Sequence, residues 1–350
     1  MAICRAKSVY CLSKFYCCLQ RSFFLATTFR NFSSSGISSQ IQNVGFIGLG
    51  NMGSRMAMNL IKSGYKVSVH DINTHAVKKL SDQGANVKEA PCQISEASDV
   101  VITMLPSSDH VLNVYTGPSG LLQNENHLRP WLFIDSSTVD PQTSRKLSLA
   151  VSACDLQGIK DHQKNPVMLD APVSGGVLAA EAGTLTFMVG GEKEAYMAAQ
   201  PLFLSMGKST IYCGGAGNGS TAKICNNLAL AVSMMGISEA LALGQSLGIS
   251  SRTLTTVFNS STARCWSSDS YNPVPGVMQH VPSSNDYHGG FASRLMAKDL
   301  NLALTSASEV GAAHPLTSQA YEAFDKLCKE GHDAEDFSCV FRHYYGGKDE

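Results

Sequence analysis

One segment constrains this chain more than any other: Val44-Gly45-Phe46-Ile47-Gly48-Leu49-Gly50-Asn51-Met52-Gly53. A short apolar strand runs into Gly48, and Gly50 and Gly53 follow in a Gly-x-Gly-x-x-Gly spacing. A helical pattern then spans Ser54 to Ser63 and stops at Gly64, a C-terminal cap. A second strand, Lys66-Val67-Ser68-Val69-His70, ends on Asp71. Glycines also make ordinary turns, so the triplet alone carries little weight. Strand, glycine loop, helix, strand and acid in succession form the fingerprint of a dinucleotide site. Gly48 allows the tight turn, Gly50 lets backbone approach a pyrophosphate, and Gly53 lets the helix pack on the sheet. The helix start, with Asn51 and Met52 on its loop, offers free N–H groups and partial positive charge to that pyrophosphate. A carboxylate at Asp71 accepts both ribose hydroxyls and repels a 2′-phosphate, and Ile72 and Asn73 bring no arginine beside it. NAD is therefore expected over NADP. The blander reading of Asp71 is a solvated surface acid.

The strand–helix alternation continues. Residues 74–83 read as a helix, Asp99 to Leu105 as a buried strand closing on Pro106, and Trp131 to Asp135 as another, followed by Ser136-Ser137-Thr138. Ligands of a doubly wound sheet lie beyond the carboxyl ends of its strands, which puts Leu105, Pro106 and Thr138 beside the nicotinamide half. A further short strand at 166–169 leads into Asp170-Ala171-Pro172-Val173-Ser174-Gly175-Gly176. A Ser-Gly-Gly turn presents successive N–H groups and a hydroxyl, a small concave site for a carboxylate, although serine and glycine fill turns everywhere. Gly214 to Gly219 then opens a long apolar-patterned helix from about Ser220 to Leu247. Lys223 and Asn227 stand four apart, on one face of its first turns. A surface lysine is usually just solvated, but one near a glycine-rich helix start at an expected cleft is a candidate for proton transfer.

The chain has 350 residues, 44 % of them hydrophobic and 16 % charged, which excludes a mainly disordered protein. No apolar run reaches the ~20 residues that a bilayer span needs. Charge is uneven. Residues 1–32 hold Arg5, Lys7, Lys14, Arg21 and Arg30 and no acid, and the first acidic residue is Asp71. That leaves 22 bases against 28 acids, a net charge of −6, for the remainder, which argues against a nucleic-acid partner. The leader has the composition of a mitochondrial transit peptide, with a processing site near Arg30-Asn31-Phe32-Ser33; a disordered basic tail is the alternative. The seven cysteines beyond it are widely spaced, without a Cys-x-x-Cys pair, and the ten histidines show no ligand spacing. Reduced thiols and no metal are expected, consistent with the matrix.

These residues together resemble the β-hydroxyacid dehydrogenase family. The likeness rests on Gly45 to Gly53, Asp170 to Gly176, and Gly217-Asn218-Gly219 leading to Lys223 and Asn227, and covers roughly residues 43 to 345. Cys265-Trp266-Ser267-Ser268, Tyr271 to Gly276, and Leu295-Met296-Ala297-Lys298-Asp299-Leu300 also match. The resemblance implies an α/β Rossmann-like N-terminal domain (43–206) and an all-α C-terminal domain (207–345) that begins with a long interdomain helix. It implies Lys223 as the catalytic acid/base, Asn227 as a substrate-placing residue, and Ser174, Gly175 and Gly176 as the carboxylate site. Leu105, Pro106, Thr138 and Lys298 would contact NAD. The implied reaction is oxidation of 3-hydroxyisobutyrate to methylmalonate semialdehyde, a step of valine breakdown, by a homodimer or homotetramer. Two departures stand out. His110 occupies a position where close relatives carry asparagine, so no cofactor contact is assigned to it, and residues 155–165 read as a polar insertion forming a surface loop. The rivals are a glyoxylate or succinic-semialdehyde reductase, a phosphogluconate-type decarboxylating enzyme, and a non-catalytic dinucleotide-binding module. The first group favours NADP and a base after the second strand, the second needs a basic cluster, and the third lacks the lysine.

Overall fold

The strand sequences are near-continuous apolar runs, as they must be in a sheet covered on both faces. In the computed structural model successive residues split between two cores. Val44, Phe46, Val100, Ile102, Leu132, Ile134 and Leu169 pack on one face, and Ile47, Val101, Phe133 and Met168 on the other. Each large apolar side chain buried this way contributes roughly 1.5–3 kcal/mol. The structure describes residues 41–125, 127–157 and 165–346. The expected transit peptide at 1–32 lies outside the described residues, as does most of the expected insertion.

The order begins β1 (Asn43–Ile47), α1 (Gly53–Lys62), β2 (Lys66–His70), α2 (Thr74–Ser81), β3 (Asn86–Val87), α3 (Pro91–Ala97), β4 (Val100–Thr103) and α4 (Ser108–Thr116). It continues through β5 (Leu132–Asp135), α5 (Pro141–Ser152), β6 (Val167–Asp170), β7 (Val173–Ser174), α6 (Gly176–Ala182), β8 (Leu185–Gly190), α7 (Lys193–Met206) and β9 (Gly207–Gly214). Helices α8 (Asn218–Ser246), α9 (Ser251–Ser260), α10 (Trp266–Asp269), α11 (Ser293–Glu309), α12 (Pro315–Leu327) and α13 (Phe341–Tyr344) follow. Strands β3-β2-β1-β4-β5-β6 are parallel in that spatial order; β8 runs antiparallel to β6 and β7 and parallel to β9. The order reverses between β1 and β4, and the crevice at their carboxyl ends is where such a sheet takes its ligand. The α/β class with a helical second part is as expected. Residues 207–214, grouped with the helical part in the sequence reading, form β9 on the sheet.

Helix α8 is the spine shared by both parts, packing on β8, β9 and α5 on one side and on α11, α12 and α13 on the other. Its 29 residues make it long and apolar enough, by length and composition, to cross a bilayer, contrary to the expectation that no run would qualify. It is a core helix all the same. Ile224, Ala231, Met234 and Leu241 are buried along it, and so are the polar Lys223, Asn227 and Ser238. At the edge of the 155–165 stretch, Asp155 and Gln157 are paired with backbone. Asp155 N donates to Glu125 O (2.7 Å), Leu128 N to Asp155 O (2.9 Å) and Gln157 N to Leu128 O (2.8 Å).

Candidate active site

The glycine loop is built by close approach. Gly48 has φ +95°, and a Cβ there would lie 2.2 Å from Met104 O; a Cβ on Gly53 would lie 1.9 Å from Gly48 O. The turn thus packs β1, α1 and the end of β4 together. A Cβ on Gly50 would meet nothing within 4 Å, so the loop faces open space there. Helix α1 has no acid in its first turn and no side-chain cap, leaving its N-terminal dipole for an anion. Asp71, at the end of β2, faces this loop: Oδ2 accepts from Leu49 N (2.5 Å) and Oδ1 from Asn73 N (2.7 Å). Each oxygen keeps a lone pair for a ribose hydroxyl. An open backbone cradle, an uncapped helix start and an acid beside them fit a dinucleotide.

Beyond β4 and β5 two loops are stapled together. Leu105 N donates to Ser137 Oγ (2.8 Å), and Ser108 Oγ donates to Asp140 Oδ2 (2.7 Å). Lys298 Nζ, from α11, donates to Thr138 O (2.8 Å) and reaches Pro106 O (3.5 Å). The expected nicotinamide-side residues Leu105, Pro106, Thr138 and Lys298 are therefore brought to one place. Burial disfavours the Asp140 anion, but hydrogen bonds from Ser108 and Thr143 outweigh it and hold the carboxyl below its ordinary range. His110 shares a 2.7 Å hydrogen bond with Ser107 at the start of α4.

Lys223 is 7 % exposed, one turn inside α8. Burial pushes its pKa below the ordinary lysine value; the Asp299 charge opposes the fall and the Lys298 charge adds to it. Asn227, one turn on, is also buried and donates from Nδ2 to Asp299 Oδ2 (2.5 Å). Lys298 Nζ lies 3.2 Å from Asp299 Oδ1. Asp299 thus joins the helix of Lys223 and Asn227 to the residue that straps the loops. Asp299 lies in the Leu295 to Leu300 motif, whose pattern assigns it no role. An acid beside a lysine on a core-facing helix was the available signal.

Ser174 ends β7, opposite Thr186 of β8. The next backbone turn needs glycine: Gly175 has φ +135°, and a Cβ there would lie 2.6 Å from Ala179 Cβ. At Gly176 (φ +70°) a Cβ would meet nothing within 4 Å, so the turn opens outward. Asp170, just before this turn, caps α8. Its Oδ1 accepts from Gly217 N and its Oδ2 from Ser220 N, both at 2.8 Å. The motif that carries the Ser-Gly-Gly turn therefore also anchors the lysine helix. Among the described residues no group of three or more His, Cys, Asp or Glu is arranged to hold a metal.

Comparison with known proteins agrees with this geometry. The family model of the NAD binding domain of 6-phosphogluconate dehydrogenase matches residues 43–215. The model described as the NAD-binding domain of NADP-dependent 3-hydroxyisobutyrate dehydrogenase matches 217–344. A probable mitochondrial 3-hydroxyisobutyrate dehydrogenase of Arabidopsis thaliana is 65 % identical over 350 residues, covering 100 % of both chains. The mitochondrial 3-hydroxyisobutyrate dehydrogenase of Homo sapiens is 46 % identical over 299 residues, 85 % of each chain. Among solved structures, the Mycobacterium tuberculosis 3-hydroxyisobutyrate dehydrogenase with L-serine superposes with a TM-score of 0.78 at 38 % identity, covering 87 % of this chain and 99 % of that one. With a fingerprint loop, a buried lysine and a Ser-Gly-Gly turn held on one sheet and spine, and with relatives matched along nearly their whole length, the chain belongs to the 3-hydroxyisobutyrate dehydrogenase family.

Proposed function

We propose that the protein oxidises the primary alcohol of 3-hydroxyisobutyrate to the aldehyde of methylmalonate semialdehyde with NAD, in the mitochondrial matrix, as a step of valine breakdown. The observation that carries this reading is the buried Lys223, whose pKa is lowered, placed with Asn227 on the helix that Asp170 ties to the Ser-Gly-Gly turn, with Asp299 of α11 bonded to that Asn227. Gly48, Gly50, Asn51, Met52 and Gly53 would hold the pyrophosphate and Asp71 the adenosine ribose. Leu105, Pro106 and Thr138, with Lys298 strapping them, would flank the nicotinamide. Bound NAD supplies the acceptor for the hydride that leaves the hydroxyl-bearing carbon.

The chain's own groups do the rest. Ser174 Oγ and the N–H groups of Gly175 and Gly176 hold the substrate carboxylate, and the Asn227 amide orients the alcohol. Neutral Lys223 takes the hydroxyl proton at Nζ as the C–H bond breaks, and in the reverse direction Lys223 ammonium returns it to the alkoxide. Burial makes that possible, because an ordinary lysine with a pKa near 10.4 is almost wholly protonated at neutral pH. The subunits associate as a dimer or tetramer through α8 and the C-terminal helices. The exposed Leu243, Leu247 and Val257 support this, and light scattering that returns a monomer would refute it.

The deciding experiment is a kcat/KM panel of 3-hydroxyisobutyrate, 3-hydroxypropionate, L-serine, glyoxylate and succinic semialdehyde with both cofactors, on protein starting near Ser33. The 3-hydroxyisobutyrate–NAD pair should lead. Preference for glyoxylate or succinic semialdehyde with NADP would replace this reading by the reductase one. In the same assay Lys223→Ala should lose on the order of 10³-fold or more in kcat, with NAD affinity by calorimetry nearly unchanged.

A further inference from the structure

We infer that Asp135 is a positioning residue for NAD, holding through Ser137 the loop pair that flanks the nicotinamide. It rests on the reading of Leu105, Pro106 and Thr138 as that flank. Asp135 ends β5 and is 1 % exposed, below the loops rather than in the cleft. Three donors converge on its Oδ1: Ser137 Oγ (2.6 Å), Thr103 Oγ1 (2.8 Å) and Ser137 N (3.2 Å). The Ser137 hydroxyl hydrogen is thus committed to the carboxylate, which turns its oxygen lone pairs toward Leu105 N at 2.8 Å. The chain of bonds runs from a strand end, through one side chain, into the backbone of the neighbouring loop. Lys298 bridges the same two loops from above at Thr138 and Pro106.

Structure alone does not call for a carboxylate here. Oδ2 is buried with no hydrogen-bond partner, and burial, despite the hydrogen bonds from Ser137 and Thr103, pushes the Asp135 pKa up to about 6. A fold in need of packing would place a hydroxyl or amide at this point. An anion is the group that orients three donors at once, since charge-assisted hydrogen bonds are roughly twice as strong as neutral ones. Two other titratable groups face it. Tyr115, from α4, has its hydroxyl 3.4 Å from Thr103 Oγ1, and Asp170 is its register partner on β6, whose charge adds to the rise.

The test is NAD binding by calorimetry, and kinetics, for Asp135→Asn, Ser137→Ala and the double variant. Each single variant should raise the NAD Kd about tenfold, the size of one charge-assisted hydrogen bond, with kcat within about twofold. The double variant should be no worse than the weaker single one, because both act through one link. Between pH 8 and 5 the wild-type Kd should rise as the pH drops below about 6, and the Asp135→Asn Kd should not. If Asp135→Asn does not fold, Ser137→Ala, which removes a single hydroxyl, decides. Unchanged Kd in a folded Ser137→Ala protein overturns the proposal. Thr138→Trp separates the two readings: if it leaves NAD binding intact, the nicotinamide flank itself is misplaced, and if it alone abolishes binding, only the role of Asp135 fails.

Discussion

Lys223 gives up its hydration on folding, and the charges left near it decide how basic it stays. Asp299 favours the ammonium and Lys298 disfavours it. Asp299→Asn keeps an acceptor for Asn227 but removes the negative charge, so the Lys223 pKa should fall further. The ascending limb of the kcat/KM–pH profile should then move to lower pH; a limb that stays in place would mean that Lys223 is not the group being titrated. Asp71 works by a different rule. Its carboxylate already accepts two backbone N–H groups and presents its remaining lone pairs outward. Asp71→Ala should cost NAD roughly 10–100-fold in kcat/KM, the worth of hydrogen bonds to a charged group, and change NADP little. Steady-state kinetics with both cofactors reads this directly. Both residues were legible in the sequence because each sits in a local motif. Asp299 was not, because its partner Asn227 lies 72 residues away.

Helix α8 is held at its start by a carboxylate from outside the helix. Asp170 takes the Gly217 and Ser220 N–H groups, where the backbone dipole favours a negative charge. Burial raises the Asp170 pKa, although the Ser220 and Gly217 hydrogen bonds pull it down. The neighbouring backbone leaves room for little else: a Cβ on Gly190 would lie 2.7 Å from Asp170 Oδ1 and one on Gly219 2.4 Å from Asp170 O. Asp170→Ala should cost about 2–3 kcal/mol for the lost charge-assisted bonds, and a fall in Tm of roughly 2 °C per kcal/mol for a chain this large. Turnover should fall as well, because Lys223 and Asn227 ride on the first turns of this helix. A Tm change without an activity change would show that the cap is structural only. The eight elements to which the sequence pattern assigns bounds (β1, α1, β2, α2, β4, β5, β6 and α8) lie within two residues of them. Strand β9 escaped because it has no buried run: Ile211 and Tyr212 are exposed along it, so neither period of burial is visible.

Among the described residues, the partly or fully buried carboxylates whose pKa is shifted divide into two kinds with opposite pH behaviour. Asp140 and Asp99 are depressed. At Asp99 burial opposes the anion, and the Asn43 and Arg129 hydrogen bonds prevail. Their stabilising contribution is present above the unfolded value near 3.8 and is lost as the pH falls through their folded values. Asp135 is raised to about 6, so between about pH 6 and 4 the folded protein binds its proton more readily than the unfolded one. Its contribution to stability therefore increases as the pH falls from about 7 to 4. Relative to Asp135→Asn, which does not titrate, the wild type should gain about 2–3 kcal/mol in unfolding free energy over that range, read by urea melts. A flat difference would place the Asp135 pKa near its unfolded value.

Sequence alone was enough for the strands, the cofactor loop, the lysine helix and the Ser-Gly-Gly turn. Each strand, helix and turn is written as a local period or a short motif, whereas the pairing of the strands joins segments much farther apart, as Val44 beside Val100 shows. The tertiary structure alone decided how those pieces are tensioned against one another. Asp135 under Leu105, Asp170 on the start of α8, and Lys298 and Asp299 across the two parts each join chain segments 32 to 192 residues apart. Their effect depends on burial and on which donor a carboxylate meets. No spacing in the sequence encodes that, because it exists only once both ends of the contact have been brought out of water.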